Sequence, residues 1–268
     1  GKSSLVREAL IPALQSLVDA SRPTLSNFSK VSYVSDTEDM LQKPRLLEAV
    51  EFVDQDPLSR SLRSTPVTYI KAYDDIRGLF AKQTLAKNMG YSKAMFSFNA
   101  PGGRCESCEG MGVQIVGMQF MADVEVKCEK CHGTRFQEQI LEVKYRGKSI
   151  YDVLEMTVEE ALHFFSEDAE AIECKRIIKR LQILQDVGLD YLKLGIGTSE
   201  LSGGEAQRCA VIRALLSAPR ILFADEPTGA LDSGNSRVVL GALRAMGEEG
   251  TTVVIVTHDP AIASSADR

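Results

Sequence analysis

Two Cys-x-x-Cys pairs, Cys105/Cys108 and Cys128/Cys131, stand nineteen residues apart and constrain this chain more than any other feature. Thiolates two residues apart can grip one ion from a single tight turn, and four of them can close a tetrahedral structural zinc site. Gly102, Gly103, Gly110, Gly112 and Gly133 flank the turns and supply the backbone freedom such turns need. A redox pair of this spacing opens a helix in a βαβ pattern, and neither pair here does so. Cys174 and Cys209 stand alone and read as small buried residues, and His132 reads as an exposed neighbour rather than a fifth ligand. Cysteines used in this way point to a reducing compartment, not to a disulfide framework.

The rest of the chain is long enough for one large core plus an insertion: 268 residues, 44% hydrophobic and 25% charged. It contains no apolar run of about 18 residues and no signal-like start, which predicts a cytoplasmic protein with no membrane partner. A net charge of −6 argues against attraction of the whole surface to nucleic acid. A local basic face remains available from Arg60, Arg63, Lys71, Lys82, Lys87, Lys93 and Arg104. The run Lys175, Arg176, Lys179 and Arg180 reads instead as a solvated helix face balanced by Glu167, Asp168, Glu170 and Glu173.

Apolar residues at three- and four-residue steps predict a helix over 2–20, with Pro12 kinking it. Residues 21–43 read as a loop, and 49–54 as a short strand leading to Gln55. Two strand-like stretches, 113–120 and 137–145, surround the second cysteine pair. Thr157 and Glu160 form a capping box that starts a helix with Ala161, Leu162 and Phe165 facing inward, and a second helix covers about 170–187. From Leu201 onward the order is helix, strand (221–224), helix, strand (252–256), helix, which is the alternation of a parallel α/β sheet.

Gly1-Lys2-Ser3-Ser4 opening a helix matches the end of a phosphate-binding loop, where amides cradle phosphates, the lysine reaches the terminal ones and the serine binds magnesium. The apolar run Ile221–Ala224 ends in Asp225 and Glu226. The first carboxylate suits magnesium and the second suits polarising an attacking water.

Together with Leu201-Ser202-Gly203-Gly204-Glu205 and His258, this set resembles the ABC ATPase superfamily. The resemblance implies that Ser202, Gly203, Gly204 and Glu205 cap ATP bound by a second cassette, in the same chain or in a dimer. It also implies that Gln55 senses magnesium and water, that Asp232 belongs to the D-loop, and that His258 contacts the γ-phosphate. The expected fold is an α/β P-loop ABC-type cassette, partial at both ends, with a zinc-binding insertion containing β-hairpins. Its expected division is 1–59 for the first cassette segment, 60–190 for the insertion with the zinc module at about 100–146, and 191–268 for the returning cassette.

The cysteine repeats are also similar to those of DnaJ-type cochaperones, which lack cassette motifs. The longer stretch Phe96-Ser97-Phe98-Asn99-Ala100-Pro101-Gly102-Gly103-Arg104-Cys105 resembles the UvrA family. So do Arg63-Ser64-Thr65-Pro66-Val67-Thr68-Tyr69, Tyr73-Asp74-Asp75-Ile76-Arg77 and Leu201 to Arg208, placing the resemblance over residues 1 to about 208. It implies an ATP-, Mg2+- and Zn2+-dependent subunit of the excision-repair system that recognises damaged double-stranded DNA. It further implies a UvrB-like partner, an SOS-response setting, and a glycine-tipped hairpin among residues 110–123 that tells damaged from intact duplex. Met118, Phe120 and Met121 there suit either probing a deformed duplex or, taken singly, packing the zinc module itself. After Arg208 the wording, including Pro227-Thr228-Gly229-Ala230-Leu231-Asp232, is more similar to lipoprotein-release and macrolide-export transporter ATPases. A transporter ATPase and a UvrA-like drug-resistance paralogue are therefore the rival readings.

Overall fold

The computed structural model describes residues 5–18, 50–53, 61–118, 121–217, 219–229, 231–264 and 266–267. Gly1 to Ser4, the 21–43 loop, Gln55, Arg60 and Phe120 lie outside the described residues. Among the described residues there are five strands: β1 (Val50–Val53), β2 (Val113–Met118), β3 (Met121–Lys127), β4 (Ile221–Asp225) and β5 (Thr252–Val256). The chain divides into two compact units, one of residues 1–57 with 203–268 and one of residues 58–202.

In the first unit β1, β4 and β5 form a parallel sheet in the order β1-β4-β5, with Phe52 opposite Phe223 and Asp225 opposite Val256. Both faces of β4 are covered, and its side chains alternate between them as the period-2 geometry of a strand requires. Leu222 and Ala224 pack with Val211, Val239, Leu243 and Met246 from the helices Gly203–Ser217 and Ser233–Glu248. Phe223 packs on the other face against Val6 and Ile11. The segment carrying those two residues differs from the single kinked helix expected of it: Leu5–Leu10 is π-helical and Ile11–Val18 is α-helical. Pro12 lies in the first α-helical turn, where a missing N–H disturbs least, next to the change from i→i+5 to i→i+4 bonding.

The second unit is built on helices and aromatic rings. Phe80, Phe96, Phe98, Phe136 and Phe165 are fully buried. Tyr73 stacks at a tilt on Phe98 with ring centroids 5.1 Å apart and donates from its hydroxyl to the Phe96 carbonyl at 2.8 Å. The helix Ile172–Asp186 packs against both Ala72–Ala81 and Val158–Ser166. The Thr157 capping box is present: Glu160 N–H donates to the Thr157 hydroxyl at 3.1 Å, and Thr157 N–H donates to the Glu160 carboxylate at 2.9 Å. Residues 191–202, grouped by sequence with the returning cassette, pack within this unit. Thr198 N–H donates to the Ser64 carbonyl at 2.8 Å, and the Thr198 hydroxyl both accepts from Ser61 N–H and donates to the Ser61 carbonyl at 3.1 Å. The two ends of the inserted segment therefore meet.

One strand expectation is corrected. Residues 137–145 hold a short helix, Glu138–Leu141, followed by a two-residue turn at Arg146 and Gly147 with φ of 50° and 78°, closed by reciprocal Tyr145–Lys148 bonds. Ile140, Val143 and Tyr145 are buried there; Ile140 and Val143 stand three apart, the spacing of the short helical turn, and Tyr145 follows it in the tight turn. The partner of β2 is β3, antiparallel, with Val116 opposite Val124 and a bulge between Val116 and Met118.

Candidate functional site

The cysteine cluster is assembled by two matching turns. In each, the residue after the second cysteine takes a left-handed conformation and a glycine follows it: Glu109 and Gly110 at φ 49° and 81°, His132 and Gly133 at φ 51° and 89°. His132 is thus an exposed turn residue outside the cluster. A Cβ on Gly110 would sit 1.8 Å from the Phe98 carbonyl oxygen, so that position admits no other residue. Cys105 N–H donates to the Arg135 carbonyl at 2.8 Å and Cys128 N–H to the Gly112 carbonyl at 2.9 Å, lacing the turns together.

All four sulfurs are buried and lie within 4.8 Å of one another. Cys105 Sγ is 3.9 Å from Cys128 Sγ, and Cys108 Sγ is 3.7 Å from Cys131 Sγ. A regular tetrahedron with metal–sulfur bonds of about 2.3 Å has edges of about 3.8 Å, so the cavity fits a tetrahedral thiolate-held ion. Burial opposes ionisation of the Cys128 thiol, but the backbone amides of Cys131 and Lys130 favour its thiolate and bring it down to about 6. Burial pushes the Cys108 thiol up to about 12, although Gly112 N–H points at its sulfur at 3.3 Å.

The second constellation lies at the C-terminal end of β4. Asp225 is 2% exposed and shares the strand parity of Ile221 and Phe223, placing it on the face covered by the N-terminal helical segment. A carboxylate buried there suits an oxygen-preferring cation such as magnesium. Glu226 leaves the strand at φ 47°, an uncommon conformation for a residue with a side chain. Its N–H donates to the Val256 carbonyl at 2.8 Å. Its carboxylate accepts from the Thr257 hydroxyl at 3.2 Å and meets His258 Nδ1 at 2.8 Å.

Glu226 and His258, expected to work together, are therefore in contact. Asp232 caps the helix Ser233–Glu248, accepting from Gly234 and Asn235 N–H at 2.8 and 2.9 Å, and these amides hold its carboxyl below the usual range. Gly203, Gly204 and Glu205 form the first turn of the helix Gly203–Ser217, whereas Ser202 closes the inserted unit. Three contributors escaped the sequence reading: Thr257, Gln207 and Asn235. Gln207 Nε2 donates to the Glu226 carbonyl at 2.8 Å, and Asn235 bridges Arg208 and Asp232.

Three of the six described residues of the expected basic face are ion-paired. Arg63 pairs with Glu109 at 2.6 Å, Arg104 with Glu106 at 3.4 Å, and Lys82 with Glu173. In the second run Lys175 meets Glu170 at 4.0 Å, but Arg180 pairs with Asp75 at 2.9 Å on a different helix. Exposed Lys87 and Lys93 carry no ion pair among the described residues. The β2–β3 hairpin exposes Ile115, Val116, Val124 and Val126. Of Met118 and Met121 the described feature is their backbone pairing.

A parallel sheet ending in paired carboxylates, with a histidine from the neighbouring strand's end on the second of them, is the fold of an ABC-type ATPase cassette. The ABC transporter family profile matches residues 120–229. The chain is 42% identical over its whole length to UvrABC system protein A of Staphylococcus epidermidis and, equally, to that of Mycoplasma genitalium. It is similar to the crystal structure of UvrA2 from Deinococcus radiodurans, with a TM-score of 0.75 and 40% identity over 83% of this chain and 27% of that one. These likenesses support a UvrA-family ABC cassette, and the chain spans about a quarter (27%) of the length of these relatives. The match runs through the stretch after Arg208, so the family resemblance extends past the limit drawn from motifs alone. No helix among the described residues is long and apolar enough to cross a membrane.

Proposed function

We propose that this chain is the second-cassette portion of an ATP-hydrolysing, DNA-binding subunit of UvrABC-type nucleotide excision repair, acting on damaged double-stranded DNA in the cytoplasm. The observation that carries the reading is the Glu226 carboxylate held by Thr257 and His258 at a strand end, in a chain that aligns with UvrA proteins throughout. Asp225 and Ser3 would hold magnesium, which would supply charge neutralisation at the phosphates. Lys2 reaches the terminal phosphates, Gln55 and His258 line the γ-phosphate, and Glu226 accepts the proton of the attacking water. Ser202, Gly203, Gly204 and Glu205 close the nucleotide site of a second cassette, and Asp232 belongs to the loop between the two sites. Residues 1–57 and 203–268 supply the cassette, and 58–202 supply the insertion.

In this reading Cys105, Cys108, Cys128 and Cys131 hold zinc, which stiffens the base of the β2–β3 hairpin. Four exposed aliphatic side chains on that hairpin suit probing of a deformable duplex by shape, and Lys87 and Lys93 suit phosphate contacts. A UvrB-like subunit receives the marked site. The test is equilibrium binding of the zinc-loaded protein to matched damaged and intact duplexes across a salt series, with Cys105→Ser alongside. A lesion preference that disappears in Cys105→Ser supports the reading. Equal binding of both duplexes at every salt concentration removes lesion recognition from it.

A further inference from the structure

Glu226 occupies a left-handed backbone conformation that a residue with a Cβ adopts only where its surroundings enforce it. Three bonds to its own backbone do so. Its N–H donates to the Val256 carbonyl at 2.8 Å, and its carbonyl accepts from Gly229 N–H at 3.0 Å and from Gln207 Nε2 at 2.8 Å. The first two belong to the sheet and to the turn that follows Glu226. The third comes from the helix Gly203–Ser217, one turn beyond Gly203 and Gly204.

That helix is wedged in place by Ala206, Cys209, Val211 and Ile212, all buried, so its first turn and Gln207 move as one piece. The next residue makes a second tie. Arg208, 4% exposed, donates to Asn235 Oδ1, and Asn235 Nδ2 donates to Asp232 Oδ2 at 2.6 Å.

We propose that Gln207 is a positioning residue that ties the glycine-led first turn of its helix to the orientation of the Glu226 carboxylate in the same cassette. The proposal rests on the ATPase reading above, in which Ser202 and the two glycines meet nucleotide on a second cassette. A shift of the helix on that nucleotide moves the Gln207 amide, and with it the peptide whose conformation aims Glu226. Occupancy of one site thereby sets the hydrolytic competence of the other.

The test uses the full chain with Gln207→Glu, which keeps the shape and loses the donor, and Gln207→Lys, which keeps a donor. Turnover, KM, binding of a non-hydrolysable ATP analogue and thermal unfolding are measured for each. The expected result is a kcat about tenfold lower in Gln207→Glu, with KM, analogue affinity and unfolding midpoint unchanged and most of the rate restored in Gln207→Lys. In combination with Ser202→Ala the losses are expected to be non-additive. An unchanged kcat in Gln207→Glu overturns the assignment, as do equal losses in both variants accompanied by a lowered midpoint, or strictly multiplicative losses in the double variant. Glu226→Gln run in parallel separates the two levels. Turnover surviving in Glu226→Gln overturns the ATPase reading, whereas turnover lost there but intact in Gln207→Glu overturns the Gln207 role alone.

Discussion

At the cysteine cluster every sulfur is buried and lies within 4.8 Å of the other three, whereas at the end of β4 a carboxylate 13% exposed is held by a histidine side chain 83% exposed. The cluster draws all its ligands from one stretch of 27 residues and needs nothing further to reach tetrahedral geometry. The Glu226 site draws on β4, on the residues after β5 and on the helix Gly203–Ser217, and its outermost group faces solvent. Closure suits a part that must hold shape. An open, multiply tethered group suits a part that must respond.

The sharpest way to break this contrast is to remove metal. Chelation is expected to unfold the region around residues 100–136, because the binding free energy of a structural zinc, about 10–16 kcal/mol, is folding free energy. Amide exchange would show loss of protection at Cys105 and Cys128, and full protection after chelation would mean the turns hold themselves.

Glu226→Gln is next, expected to lower ATP turnover at least about a hundredfold while nucleotide still binds. Single-turnover kinetics with a binding titration would decide it, and an unchanged rate would move the general base elsewhere. Gly110→Ala is expected to cost about 3 kcal/mol, from the positive φ and the collision with the Phe98 carbonyl, without altering ATP turnover. Denaturant unfolding beside an ATPase assay measures both, and a loss of turnover would show that the two regions are not separable. The smallest effect belongs to Thr157→Ala, about 1 kcal/mol of stability from the lost cap, again by denaturant unfolding.

Local chemistry was legible in the sequence where it was periodic or closely spaced. The cysteine pairs, the Thr157–Glu160 box and the apolar run ending in Asp225 and Glu226 each lie within a few residues, and each stands where spacing placed it. The strand β3 was missed because its Val124-Glu125-Val126-Lys127 alternation is short and leaves its valines exposed, so no core demands it. The stretch 137–145 misled because Val143 and Tyr145, both buried, alternate as in a strand, whereas Glu138–Leu141 is a short helix and Arg146 and Gly147 turn the chain. Gln207, Asn235 and Thr257 were illegible for a different reason. Their partners lie 19, 27 and 31 residues away, and only the folded sheet brings them together.

The seam at Ser61, Ser64 and Thr198 bears on inheritance. A segment whose entry and exit ends are already fastened to each other asks its host for a gap a few ångströms wide and little else, since closing it costs almost no loop entropy. Such a piece can be gained, lost or exchanged between ancestral ATPases in one recombination event, and the same property marks residues 61–198 as a graftable module for protein engineering.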